Sequence, residues 1–309
     1  MRETGGHGGP PLQKIPEGGT ERKALRMQEP VINVRLLFES DIPAAMQIKE
    51  AAGWNQSEKD WRRLLSLDPN GCFAAVKDRR LVGTTTTTMY GKDLGWIGMV
   101  LVDPQQRRQG IATQLMNVAL DYLKDKVRTV KLDATALGKP VYEKFGFQVE
   151  SVLERWSGIS NARSAATPIS LDDDGLRDLL ALDRVAFNVD RSKLIEKLID
   201  DACVPPVLLR AADGTLSGYA LARRGTNADY VGPVVARSLQ HVESLLDRVL
   251  TQLAGCRVYI DFNTECGAGT SVLSDRGFVK ERALMRMSAG ARAETTSPLV
   301  IAIAGPETG

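Results

Sequence analysis

Four landmarks recur in the same order along this chain, at a spacing close to 131 residues. Asp41 and Asp174 lie 133 apart, and Gly83 and Gly218 lie 135 apart. Asp133, in Lys131-Leu-Asp-Ala, and Asp261, in Tyr259-Ile-Asp-Phe, lie 128 apart; Gly146-Phe147 and Gly277-Phe278 lie 131 apart. Such a repeat in 309 residues means two copies of one unit of ordinary domain size. Residues 1–30, rich in Gly, Pro and charge, read as a flexible arm ahead of them. The copies are then expected over residues 31–158 and 167–309, with a boundary near 158–168.

Both copies carry the same plan of elements. In the first, a strand begins at Val31, Asp41 opens a helix, and a second helix covers Ser57 to Leu67. Cys72 to Val76 and Leu81 to Tyr90 read as a hairpin, because the five threonines 84–88 are β-branched and suit a strand. Gly95 to Val102 reads as the next strand. Residues 111, 112, 115, 116, 119, 122 and 123 are apolar at a 3.6-residue period, which predicts a helix from Gly110 to about Lys124. Val130 to Ala134, Lys139 to Phe145 and Phe147 to Trp156 then predict a strand, a short helix and a closing strand. The second copy repeats helices at Leu171–Leu182, Arg191–Asp200 and Leu239–Leu253. Its strands fall at Val207–Ala211, Leu216–Arg223, Tyr230–Val235, Arg257–Phe262 and Phe278–Met287. Ser288 to Ser297 reads as a flexible connection, and Leu299 to Glu307 contains a late strand closing the domain.

Composition narrows the chemistry. Forty basic against 38 acidic side chains leave a formal charge of +2, which offers no general attraction for nucleic acid. The four cysteines form no CxxC pair, and the two histidines are His7 and His241, which disfavours a metal site or a Cys–His or Ser–His nucleophile. Reduced, mostly buried thiols fit a cytoplasmic protein. No apolar run approaches the roughly 20 residues that span a bilayer, so no membrane partner is expected.

The richest stretch joins the strand Met99-Val-Leu-Val to a basic, glycine-containing turn and then to an amphipathic helix. Free amides and the positive end of a helix dipole favour anions there. Gly110 permits close approach, and Arg107 and Arg108 add charge. Taken alone, the segment reads equally as a diphosphate cradle or as a solvated basic loop.

Three elements in order are shared with a known family. Arg107-Arg108-Gln109-Gly110-Ile111-Ala112 resembles the acyl-CoA loop of the GNAT superfamily of N-acetyltransferases, Arg/Gln-x-x-Gly-x-Gly/Ala. Val100-Leu101-Val102-Asp103-Pro104 resembles the strand before it, and Tyr142-Glu-Lys-Phe-Gly146-Phe147 the downstream Tyr-x-x-x-Gly-Phe. The resemblance covers about residues 31–158 and implies an α+β fold of two tandem GNAT-like domains. Each would be a mixed, mostly antiparallel sheet flanked by helices.

The same resemblance implies acetyl-CoA as co-substrate. It would be held by Val100, Leu101, Val102, Arg107, Arg108, Gln109, Gly110, Ile111, Ala112 and Thr113, with a backbone amide of Leu101 or Val102 on the thioester oxygen. Tyr142 would be the acid for the leaving thiolate, or else a packing tyrosine. Trp54 falls where the family forms an acceptor wall, or is a core residue. Glu50, Glu58, Asp60 and Asp133 are the candidate bases, with no choice among them. The implied reaction is acetyl transfer to an amine of a small molecule. A protein lysine or N-terminus as acceptor, and a non-catalytic acyl-CoA sensor, are the alternatives.

A constant offset maps the site onto the second copy. Adding 133 carries Arg107, Gly110 and Ala112 to Gln240, Glu243 and Leu245; adding 131 carries Tyr142 to Leu273. A Glu in place of the glycine and a Leu in place of the acid predict a copy that has lost the cofactor. The second copy would be scaffold or part of the acceptor pocket. In the latter case Asp190, Asp261 and Asn263 could contact the amine; otherwise each is structural.

Overall fold

The computed structural model describes residues 1, 32–161, 171–291 and 297–309. Apart from Met1, the arm expected over residues 1–30 lies outside these, as do residues 162–168 of the expected boundary and 292–296 of the expected connection.

In chain order the elements are β1 (Asn33–Leu36), α1 (Ile42–Ala51), α2 (Glu58–Leu67), β2 (Cys72–Lys77), β3 (Arg80–Tyr90), β4 (Leu94–Val102), α3 (Ile111–Leu123), β5 (Thr129–Ala134), α4 (Lys139–Glu143) and β6 (Gln148–Ile159). They continue with α5 (Asp173–Phe187), α6 (Ser192–Asp200), β7 (Val207–Arg210), β8 (Leu216–Arg223), β9 (Asp229–Ala236), α7 (Leu239–Gln252), β10 (Arg257–Asn263), α8 (Ser271–Ser274), β11 (Val279–Gly290) and β12 (Val300–Ala302). Local chemistry sets most boundaries. The Ser57 amide donates to the Asp60 carboxylate at 2.7 Å, closing a capping box at the start of α2. The Asp172 side chain accepts from the Gly175 amide and starts α5.

Among the described residues, the strands form one twelve-stranded sheet in the order β1-β2-β3-β4-β5-β11-β6-β10-β12-β9-β8-β7. The halves therefore exchange strands. β11 of the second half lies between β5 and β6 of the first, pairing Met285 with Ala134 and Leu284 with Leu153. β6 in turn pairs with β10, from Arg257 opposite Ile159 to Asn263 opposite Leu153. The segment expected as a closing strand is thus at the centre of the sheet. Leu153, Leu284 and Met287 are no more than 1% exposed there, each contributing roughly 1.5–3 kcal/mol by burial. Part of the expected flexible connection, Ser288 to Gly290, is the end of β11 and pairs with β5.

The same helix packing recurs in both halves. α3 buries Ile111, Leu115, Met116, Ala119 and Leu123 on the sheet, and α7 buries Val242, Leu245, Leu246, Val249 and Leu250. A Cβ on Gly83 would lie 3.0 Å from Ile111 and Leu115, and one on Gly218 would lie 2.8 Å from Leu245. Both glycines admit the helix at close range, which is why they recur. All four thiols are unpaired; burial pushes that of Cys72 up to about 12, keeping it unreactive.

Candidate active site

β4 and β5 run parallel and pair only from Leu94–Trp96 to Thr129–Lys131. Beyond that the register of β4 against β3 breaks between Thr84–Leu101 and Thr86–Gly98, and Met99 adopts φ +49°. This bulge turns β4 away from β5. Where the two strands stop pairing, residues of both, Gly98, Met99 and Val100 from one and Leu132 and Asp133 from the other, line a half-open cleft. Its empty space is about 470 Å³, part of it open to solvent.

The loop after β4 leads to the N-terminus of α3. The Asp103 side chain accepts from the Gln105 amide at 2.9 Å and starts the turn. Lys77 Nζ donates to Gln106 at 3.1 Å and Gln109 at 2.8 Å, tying the loop to β2. Gly110 sits at φ +77° as the cap of α3, with nothing within 4 Å of where a Cβ would stand. Arg107, Arg108, Gln109 and Gly110 are exposed around the first amides of the helix. This geometry fits an anionic diphosphate: open amides, a left-handed glycine and two guanidinium arms without a partner among the described residues. Ile111 and Leu101 turn their side chains into the core at 1% and 3% exposure, so only their backbones can serve a ligand. Val102 and Ala112 are half-buried and Thr113 is exposed; among the strand positions, Val100 lines the cleft.

Tyr142 reaches the cleft from α4. Its ring packs edge-on to Phe147, and a Cβ on Gly138 would meet it at 2.9 Å, so the glycine makes room for the ring. Burial holds its hydroxyl well above the ordinary tyrosine range, keeping it protonated. Trp54, half-buried, also lines the cleft.

The carboxylates sort themselves by position. Glu50 is exposed and Glu58 makes a surface pair with Arg62; neither lines the cleft. Asp60 is buried, and although burial disfavours its charge, Arg223 and Arg63 bring it down to about 2. Asp133 lines the cleft; burial raises it, against the opposing pull of Arg286, which donates to both its oxygens at 2.9 Å. Asp190 is misplaced by the sequence reading: it is about half exposed, accepts from the amide and hydroxyl of Ser192, and is no part of the cleft. Asp261 is fully buried and stands behind the wall, where its oxygens accept from Arg155 at 2.7 and 2.6 Å and from Tyr230 at 3.1 Å. Arg155 itself lines the cleft. Asn263 donates to the Val300 carbonyl and is structural.

Three charged wall groups escaped the sequence reading: Arg155, Glu307 and Arg282. After β12 the chain turns back toward the first half. Trp96 Nε1 donates to the Pro306 carbonyl at 3.0 Å, the Tyr90 hydroxyl to that of Thr308 at 2.7 Å, and Arg223 to that of Ala304 at 2.8 Å. Gly98 has no side chain because Glu307 lies on it; a Cβ there would stand 2.8 Å from the Glu307 Cα. Glu307 faces the cleft, with Gln56 donating to one oxygen at 2.9 Å and Arg223 to the other at 3.0 Å. Arg282 lines the cleft from β11.

The second half departs from the offset arithmetic. α7 follows β9 after only Arg237 and Ser238, where the first half has the eight residues 103–110. Ser238, not Glu243, stands in the capping position of Gly110; Glu243 is an exposed residue within α7. The loop itself is missing, which a fixed offset cannot reveal. Leu273 does match Tyr142, since Phe278 N donates to the Leu273 carbonyl just as Phe147 N donates to that of Tyr142. The gap between β9 and β10, which pair only at Asp229–Tyr230 with Val258–Tyr259, is filled by β12. That strand is internal to the sheet rather than the expected closing one.

Compared with known proteins, residues 38–147 match the family described as the Acetyltransferase (GNAT) family, and residues 179–298 match the Acetyltransferase (GNAT) domain. A Bacillus subtilis protein called "Uncharacterized N-acetyltransferase YitH" is 27% identical over 252 residues, covering 79% of this chain and 87% of that one. The mycothiol acetyltransferase of Mycolicibacterium smegmatis is 34% identical over 113 residues, of which the chain spans 38% of that relative's length. A Pyrococcus horikoshii crystal structure described as "A Putative Acetyltransferase" shares the fold, with a TM-score of 0.78 and 23% identity over 90% of this chain and 96% of that one. Both halves of the chain thus match one family, and the protein belongs to the GNAT acetyltransferases as a tandem of two GNAT domains.

Proposed function

We propose that the chain moves an acetyl group from acetyl-CoA directly to the amine of a small molecule, using the first domain alone for the donor. The observation that carries this is the parting of β4 and β5, where Val100 and Tyr142 line one cleft and β4 leads through residues 103–110 to the Gly110 helix start. When bound, the thioester supplies the activated acyl carbon. The loop amides and Arg107 and Arg108 hold the diphosphate, and a backbone amide at Leu101 or Val102 donates to the carbonyl oxygen as charge builds on it. Glu307 holds the ammonium and takes one of its protons, the amine nitrogen bonds to the acyl carbon, and the carbon–sulfur bond breaks as Tyr142 gives its proton to the sulfur; the second proton leaving the nitrogen returns to the Tyr142 oxygen, and Glu307 releases the first to solvent.

A small acceptor is favoured over a protein because the tail residues Pro306 and Glu307, together with Arg282 of β11, wall the cleft. The likeness of part of the chain to mycothiol acetyltransferases supports the same choice. The test is release of free CoA, with mass detection of acetylated product, across amines, amino acids and peptides. Product from a small amine is expected. Binding of CoA with no acceptor acetylated would replace the transferase reading with that of an acyl-CoA sensor.

A further inference from the structure

The guanidinium groups around the cleft are unequally partnered. Arg155 is held by both oxygens of Asp261, Arg286 by both of Asp133, and Arg223 by Asp60 and Glu307. Arg282 differs. Among the described residues no carboxylate lies within 4 Å of it, and its Nε is buried without a hydrogen-bond partner. A bulge places it there: the register of β11 against β6 shifts between Lys280 and Arg282, which sets Arg282 directly across from Arg155. The two cations line the same cleft, and Asp261 is bound to Arg155. Burial and the field of Arg155 both disfavour the charge on Arg282, while Asp261 and Glu281 support it only from a distance. A buried cationic donor left unpaired is costly and calls for an acceptor group from outside the chain.

We infer that the acceptor carries a carboxylate besides its amine, and that Arg282 binds this carboxylate while Glu307 holds the ammonium. This rests on the transfer reading above and adds the substrate class, an amino acid or a similar amine–carboxylate. The complementary charges on the wall suit a zwitterion: an unpaired guanidinium from β11 and a carboxylate from the 303–309 tail. The carboxylate could instead belong to the acyl chain of the donor. Position favours the acceptor: Arg282 precedes Met285, the first residue of β11 to pair with β5, by three residues, roughly 10 Å along the strand, on a stretch of β11 that pairs with β6 and not with β5.

The test measures kcat/KM with acetyl-CoA for amino acids, their amides and the decarboxylated amines, in the wild type and in Arg282→Gln. Acids are expected to be preferred over amides by roughly 10- to 100-fold, through KM, and the preference is expected to collapse to within about twofold in the variant. Arg282→Lys keeps the charge but not the planar fork, and should retain part of the preference. Equal rates for acids and amides in the wild type, or an undiminished preference in Arg282→Gln, would overturn the inference while leaving acetyl transfer standing. A requirement for a carboxylate on the acyl chain, seen as succinyl-CoA outperforming acetyl-CoA with the amides, would overturn it in favour of the donor. Failure to acetylate any amine would remove both readings together.

Discussion

The two halves open their sheets at the same place and treat the opening oppositely. In the first, β4 and β5 part after Trp96 and Lys131 and leave a cleft lined by Tyr142, and an eight-residue loop leads from β4 to α3. In the second, β9 and β10 part after Tyr230 and Tyr259, β12 runs into the gap, two residues replace the loop, and Leu273 replaces the tyrosine. A parted pair of strands leaves unpaired backbone donors and acceptors, which must be satisfied by a ligand or by the chain. The second half satisfies them internally, and its filling strand leads straight into the tail that walls the first half's cleft.

The difference can be sharpened by breaking what the halves share before what divides them. Asp133 with Arg286 and Asp261 with Arg155 are equivalent buried pairs, each binding an aspartate of one half to an arginine of the other. Asp261→Ala leaves a guanidinium uncompensated and should destabilise by about 3–5 kcal/mol in chemical denaturation. Asp133→Ala should cost about as much; a much smaller loss in either would show that the halves are not equivalently joined. Gly110→Glu places a negative side chain at the α3 start, and calorimetry should show acetyl-CoA affinity reduced by more than about 100-fold with the fold retained. Ser238→Glu, at the matching position of α7, should leave that affinity unchanged.

Tyr142→Phe should lower kcat by about 100-fold with little change in KM for acetyl-CoA. Because burial raises the hydroxyl's pKa, the wild-type rate should show no loss from tyrosine ionisation near pH 10. A fall there would mean that the hydroxyl is not held protonated as the buried position implies. The smallest effect belongs to Glu243→Gly, the change that a fixed offset would call restorative. It should cost about 1 kcal/mol of helix stability and confer no CoA binding on the second half. The pair of Asp60 with Arg63 and Arg223 joins α2 to β8. The folded-state pKa of Asp60 is depressed to about 2. Its contribution is therefore present above the unfolded value near 4 and is lost as pH falls from there through about 2, which acid titration of the melting temperature would follow.

Much of this was legible locally. The apolar period of residues 111–123 and the threonine strand 84–88 are short-range signals, and each stands where the sequence placed it. The errors came from counting at a distance. Glu243 was matched to Gly110 because a constant offset assumes equal loops, and six residues are missing between β9 and α7. Asp190 has two readings in sequence, acceptor contact or structural residue, and the Ser192 amide and hydroxyl that bind it make it structural.

By itself the sequence determined the repeat and the order and kind of nearly every element, because periodicity and turn chemistry act over a few residues. The tertiary structure decided that β6 and β11 change places, that β12 fills the second opening, and that Glu307 and Arg282 meet across one cleft. Strand partners are chosen among segments of nearly the same alternation, so pairing depends on contacts more than a hundred residues apart. The bulge that turns Arg282 toward Arg155 exists only once those strands have met.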